Sequence, residues 1–160
     1  DESLKSIQLL REAFDGKVAV GAGTVLDTDD VELAKKAGAS FIISPNYDPD
    51  TIKLTKSYGL ISIPGAMTPT EVYNCYKAGA DFVKVFPASD LGTSFIKSLR
   101  GPLPFIPLMA VGGITAENLN DYLKAGCSGV GIGGNLVNKK LIKAHDFEAL
   151  ENLAKTFVAE

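Results

Sequence analysis

Cysteine is scarce in this chain. Cys75 and Cys127 are its two thiols, and they form neither a close pair nor a metal-ligand spacing, which argues against a disulfide scaffold and a zinc motif. Both are expected to be reduced, in a cytoplasmic setting. Long apolar runs are missing too: none reaches the roughly 20 residues that cross a bilayer, and the start, residues 1–11, is a charged helical pattern and not a signal peptide. A soluble protein without a membrane partner is expected. Charge of one sign is likewise missing, since the formal net charge is −3 and the basic residues are scattered. That leaves no footprint for tracking a phosphate backbone, so no nucleic-acid partner is expected. Histidine occurs once, as His145, in a polar connection that suits a surface position and not a catalytic one.

What is present fits one globular domain: 46% of the 160 residues are hydrophobic and 22% charged. Short apolar runs recur at 18–25, 41–44, 60–63, 82–86, 105–111 and 129–132 and read as six strands. Segments with helical spacing lie between them, such as Val31, Leu33, Ala34 and Ala37, or Val72, Cys75, Tyr76 and Ala78.

The helix ends repeat one punctuation: Lys36-Ala37-Gly38, Lys77-Ala78-Gly79, Lys124-Ala125-Gly126, and Tyr58-Gly59 as a fourth version. A glycine at positive φ stops each helix, and the next strand follows two or three residues later. Helix starts are marked by Asp48-Pro49 and by Thr68-Pro69, where Glu71 completes a capping box, and Thr115 with Glu117 resembles another start. A last helix is expected over 146–159.

Alternating strands and helices with short connections imply a parallel sheet covered by helices, either closed or doubly wound. A TIM-type (β/α)8 barrel takes about 200 residues or more. Six strands and a first helix with no strand before it therefore suggest a single α/β barrel domain over 1–160 that lacks the first strand-helix unit and the second strand.

Of 14 lysines, Lys84 alone stands inside an apolar strand, Phe82-Val83-Lys84-Val85-Phe86. Alternation puts Phe82, Lys84 and Phe86 on one face and the valines on the other, and a barrel covers both faces. Burial favours the neutral amine, which can attack a carbonyl to form a Schiff base. The structural alternative is a lysine paired with an interior carboxylate. An iminium on a 2-keto acid withdraws electrons from the adjacent carbon, so breaking the next carbon–carbon bond leaves an enamine: aldol chemistry.

Two glycine pairs follow the last two strands, Gly112-Gly113 and Gly133-Gly134. Loops after the seventh and eighth strands of barrels commonly bind phosphate, with N–H groups approaching its oxygens across bare backbone. A helix beginning near Asn135 would add its dipole. Glycines at strand ends also serve plain turns.

Five blocks then carry a resemblance: Val20-Gly21-Ala22-Gly23-Thr24-Val25-Leu26, Ile43-Ser44-Pro45-Asn46, Ile63-Pro64-Gly65-Ala66-Met67-Thr68-Pro69-Thr70-Glu71, Phe82-Val83-Lys84-Val85-Phe86-Pro87-Ala88 and Ala110-Val111-Gly112-Gly113-Ile114. In this order they resemble the 2-keto-3-deoxy-6-phosphogluconate (KDPG) aldolases, including those that act on 4-hydroxy-2-oxoglutarate (KHG). The resemblance implies Lys84 as the Schiff-base lysine, Thr24 near the pyruvate carboxylate, Pro45, Phe86 and Pro87 shaping the pocket, and Gly112 and Gly113 at the phosphate. It further implies homotrimers, no metal or other cofactor, and products pyruvate and glyceraldehyde 3-phosphate. Two departures accompany it. The family's acid/base glutamate and a carboxylate-binding arginine lie on its second strand and following loop, a segment without counterpart here, and Gly134 stands where many relatives carry a phosphate-binding serine.

Three readings follow. The first is an aldolase cleaving the phosphogluconate-type 2-keto acid, KHG, or the galactonate-type substrate. The second is an isomerase or synthase on a phosphate-binding barrel, with Lys84 as an electrostatic contact. The third is a silent barrel fragment that only binds phosphate ligands. Glu71, explained by its cap, and Asp90, in a loop or cap role, are assigned no chemistry.

Overall fold

A computed structural model of the chain describes residues 2–14 and 16–158. Contacts divide it into two compact units, Asp1–Lys84 with Phe105–Pro107, and Val85–Pro104 with Leu108–Glu160. The described residues form seven short strands and eight helices.

In the first unit the order is α1 (Glu2–Phe14), β1 (Ala22–Gly23), α2 (Thr28–Lys36), β2 (Phe41–Ile43), α3 (Pro49–Ser57), β3 (Ile61–Ile63), β4 (Gly65–Ala66), α4 (Pro69–Lys77) and β5 (Val83–Val85), whose last residue begins the second unit. Strands β1, β2 and β3 pair in parallel, with Ala22 opposite Ile42 and Ile42 opposite Ser62. Ile7 of α1 and Val31 and Ala34 of α2 pack with Val20, Val25, Ile42 and Leu60 into an apolar core. Burying a side chain such as Ile42 stabilises the fold by roughly 1.5–3 kcal/mol.

The second unit holds α5 (Ala88–Arg100), β6 (Leu108–Val111), α6 (Leu119–Lys124), β7 (Gly129–Gly131), α7 (Lys139–Lys143) and α8 (Phe147–Lys155). Here β6 and β7 pair in parallel, with Ala110 opposite Val130. Gly92, at φ 72° and ψ 171°, breaks α5 after its first turn.

The helix boundaries follow the local chemistry of the sequence. Asp27, Asp48 and Thr68 accept hydrogen bonds from the backbone N–H three residues on, and the Thr68–Glu71 capping box is complete. Gly38, Gly59, Gly79 and Gly126 all have positive φ. At each, the glycine N–H bonds to a carbonyl three residues back and the next N–H to one five back, as in Gly38 N to Lys35 O and Ala39 N to Ala34 O, both 3.0 Å. A fifth stop uses His145 at φ 54°, with Asp146 N bonded to Leu141 O at 3.0 Å. That exposed backbone role agrees with its surface assignment.

The strands are shorter than their apolar runs and number seven instead of six. Val20, Val25 and Ile106 are buried outside the ladders, so the runs mark burial and not pairing alone. Pro64 divides 60–66 into β3 and β4 because it has no N–H to give a ladder. Two helix starts also differ. Asn118 joins Glu117 as a partner of Thr115: Thr115 N donates to Asn118 Oδ1 at 2.9 Å and Asn118 N to Thr115 Oγ1 at 3.3 Å, while the Thr115 side chain also bonds the Glu117 carboxylate, and α6 begins only at Leu119. The last helix runs over Phe147–Lys155, and Ala159 lies outside the described residues.

Candidate active site

Lys84 owes its position to a register set three residues earlier. Asp81 N and Phe82 N both donate to Ser62 O, at 3.0 and 3.3 Å, and Lys84 N donates to Pro64 O at 2.8 Å. The Asp81 carboxylate closes the loop by accepting from Ser62 N at 2.8 Å and from Lys56 Nζ at 2.7 Å. Because side chains alternate along a strand, a slip of one residue would exchange Lys84 with a valine. The outcome is a lysine 8% exposed between Val83 at 1% and Val85 at 0%. Burial holds its amine below the ordinary lysine range, raising the fraction of neutral, nucleophilic amine at a given pH.

Two further candidates stand in the same unit just past the carboxyl ends of β1 and β2, the side of parallel sheets where ligand sites gather. Thr24 is exposed at φ 61°, a left-handed conformation that is costly for a β-branched residue. Its hydroxyl has no hydrogen-bond partner among the described residues, so the plain role of a hydroxyl satisfied by backbone does not apply. It lines a cleft of about 490 Å³ with Val20, Gly21 and Asp30; Lys84 and Pro45 are not in that lining. Pro45 packs against the β3–β4 junction: a Cβ on Gly65 would stand 2.2 Å from Pro45 O, and Gly65 N bonds to Asn46 O at 3.2 Å. Pro64-Gly65 thus touches the Pro45 loop through Gly65 and the Lys84 backbone through Pro64.

The second unit brings together Phe86, Pro87, Gly112 and Gly113. The Phe86–Pro87 peptide is cis. A Cβ on Gly112 would meet the Phe86 ring and Pro87 Cα at 3.4 Å, and Ser89 N donates to Gly112 O at 3.1 Å. Gly113 lies tighter still, since a Cβ there would come within 2.5 Å of Ser89 Cβ. Both glycines have positive φ, 99° and 70°. Gly133 and Gly134 differ: neither has positive φ, and a Cβ on either would meet nothing within 4 Å. No helix begins near Asn135, because Leu136 N and Val137 N both fold back onto Gly133 O in a turn and α7 starts at Lys139. Among the described residues, the N–H groups of Gly112, Gly113, Gly133 and Gly134 donate to no backbone carbonyl.

Sequence reasoning missed the residues that hold this loop. Asn118 Nδ2 donates to Gly113 O at 3.0 Å and Asn135 Nδ2 to Ile114 O at 2.6 Å. Asn135 follows the second glycine pair directly, which was the available signal; Asn118 offered only its helix-start position.

Residues 1–153 match the family model described as KDPG and KHG aldolase. The chain belongs to the KDPG and KHG aldolase family. It is 39% identical over 133 residues to the 2-dehydro-3-deoxy-6-phosphogalactonate aldolase of Escherichia coli K12, covering 82% of this chain and 65% of that relative. With the 2-dehydro-3-deoxy-phosphogluconate aldolase of Haemophilus influenzae it shares 35% over 155 residues, 96% of this chain and 72% of the relative. The fold resembles the solved KDPG aldolase of Legionella pneumophila, which holds pyruvate as a covalent carbinolamine intermediate: TM-score 0.88 and 27% identity, over 97% of this chain and 74% of that one. The fold class is that of this aldolase family, an α/β, TIM-type barrel of parallel strands. Among the described residues no helix is long and apolar enough to cross a membrane.

Proposed function

We propose that this member of the KDPG and KHG aldolase family is a class I aldolase that cleaves a phosphorylated 2-keto-3-deoxy sugar acid into pyruvate and glyceraldehyde 3-phosphate, with Lys84 as the nucleophile. The observation that carries this reading is Lys84 itself, buried in β5 with its amine held below the ordinary range by that burial. The neutral amine adds to the C2 carbonyl, the carbinolamine loses water, and the resulting iminium accepts the C3–C4 bonding pair as the aldehyde departs. The C4 hydroxyl proton passes to a base, the role that the family resemblance gives to a glutamate. Protonation of the enamine at C3 and hydrolysis then release pyruvate and restore Lys84.

Thr24, with an exposed hydroxyl that has no hydrogen-bond partner among the described residues, suits the pyruvate carboxylate, while Pro45, Phe86 and Pro87 shape the walls. The phosphate falls to the glycine loops after β6 and β7, where the N–H groups of Gly112, Gly113, Gly133 and Gly134 donate to no backbone carbonyl among the described residues. Gly134 contributes no hydroxyl, only backbone. In this reading the enzyme works in the cytoplasm as a homotrimer.

A second reading changes only the substrate. The 39% identity to a phosphogalactonate aldolase favours the C4 epimer over the gluconate form. Pyruvate with borohydride should add mass at Lys84 in the native chain and none in Lys84→Arg, which retains charge but not imine chemistry. An unmodified Lys84 in the native chain would sink the proposal, and comparing kcat/KM for the two epimers would choose between its forms.

A further inference from the structure

The hydroxyl of Tyr122 has so far played no part in the site. Tyr122 lies on α6, is 5% exposed, and donates from its hydroxyl to Ala88 O at 3.0 Å, across 34 residues of chain. Ala88 is fully buried and opens α5 directly after the Phe86-Pro87 turn. Pro87, at the cap position of α5, provides no side-chain hydrogen bond. The next residue, Ser89, gives its N–H to Gly112 O and packs against Gly113.

We infer that Tyr122 is a positioning residue for the glycine loop: by clamping Ala88 O it fixes the Ser89 N–H on Gly112 O and so sets the geometry in which the Gly112-Gly113 amides meet a phosphate. This inference rests on the proposed phosphate role of that loop.

The clamp is anchored in α6 through the backbone of Tyr122. Tyr122 N bonds to Asn118 O at 3.4 Å, and Tyr122 O accepts Cys127 N at 3.1 Å in the stop that ends α6. Asn118, one turn earlier on the same segment, holds Gly113 O with its amide. One short helix therefore grips the loop directly through Asn118 and the turn beside it through Tyr122. Burial, together with the neighbouring Cys127, raises the Tyr122 hydroxyl above its ordinary range. It thus stays protonated, and a donor, throughout the neutral region.

The test uses the full chain and two ligands that separate the two readings, glycerol 3-phosphate with glycerol as its phosphate-free control, and pyruvate. Tyr122→Phe removes this donor from the buried Ala88 carbonyl, a loss of a size that should weaken glycerol 3-phosphate binding about tenfold. Borohydride-trapped pyruvate at Lys84 should keep its native yield at the same pyruvate concentration. Tyr122→4-aminophenylalanine restores a donor and should restore the affinity, which also covers the case in which the phenylalanine variant fails to fold. Tyr76→Phe, which removes an exposed hydroxyl elsewhere, should change neither ligand. Unchanged glycerol 3-phosphate affinity in Tyr122→Phe overturns the inference, as does an equal loss of both ligands or a failure of the restored donor to rescue. If the native chain does not distinguish glycerol 3-phosphate from glycerol, the phosphate reading of the loop fails and takes the inference with it.

Discussion

At the residue scale, a buried lysine amine and a threonine held at positive φ each lead to a measurable consequence. Because burial lowers the Lys84 pKa, its neutral fraction grows as pH rises toward that lowered value. The rate of pyruvate imine formation should therefore climb through an inflection below the ordinary lysine value, read from the initial rate of borohydride-trapped adduct against pH. Folding carries the matching sign. Between the lowered folded value and the ordinary unfolded one the unfolded chain binds more protons, so the penalty of burying this amine is present at lower pH and fades as pH rises through that window. Thr24 carries backbone strain of roughly 1–2 kcal/mol that glycine would relieve, less the entropy that glycine adds to the unfolded chain. Thr24→Gly should accordingly leave the denaturation midpoint unchanged or slightly higher while weakening pyruvate binding, a split that equilibrium unfolding and adduct yield would expose.

The elements around these residues differ in how much they tolerate. The two glycine pairs look alike as text, yet only one is sterically required. Gly113→Ala places a Cβ against Ser89 at a left-handed φ, and should cost about 2–4 kcal/mol by overpacking and strain. Gly134→Ser meets open space, so its unfolding midpoint should stay put while phosphate affinity rises several-fold from the added hydroxyl. Asp81 acts on a whole strand: Asp81→Ala removes the acceptor of the buried Ser62 N–H and should cost about 1–3 kcal/mol. Lys56→Ala, which removes only a half-exposed ion pair, should cost under about 1 kcal/mol; urea titrations of both variants would show the gap.

These contrasts explain what the sequence disclosed. Helix caps and stops were legible because their hydrogen bonds close within three to five residues, so Asp48, Thr68 and Gly38 declare their roles locally. Lys84 was legible because a cation in an apolar strand violates the usual burial rule. The strand limits were not, since Val20 and Val25 are buried beyond the two ends of β1. Nor was the grip of Tyr122 on Ala88 O, because that contact spans 34 residues and depends on how distant segments meet; Asn118 reaches Gly113 O only five residues away, but an asparagine at a helix start does not say which carbonyl its amide will take. The helix expected near Asn135 fails for a related reason: an asparagine after glycines suits a cap or a turn, and the fold-back of Leu136 and Val137 onto Gly133 decides for the turn.

At the scale of the whole molecule, the chain has a formal net charge of −3 and a pI near 5.2, so self-repulsion is weak and contacts between copies are not opposed by a strong field. Sedimentation at neutral pH should report a particle of about three times the 16.9 kDa chain mass if the homotrimer forms; a single-chain mass would refute it. The stops at Gly38, Gly59, Gly79 and Gly126 bear on how such a molecule could arise. Each ends its helix with the same pair of hydrogen bonds and releases the chain toward a strand in the same way. Such a joint needs nothing from its neighbours, so a strand-helix cassette can be copied, lost or exchanged without redesigning the seam. The repeated part of this architecture is then its grammar of endings, and Lys84 occupies one cassette among several built to a common plan.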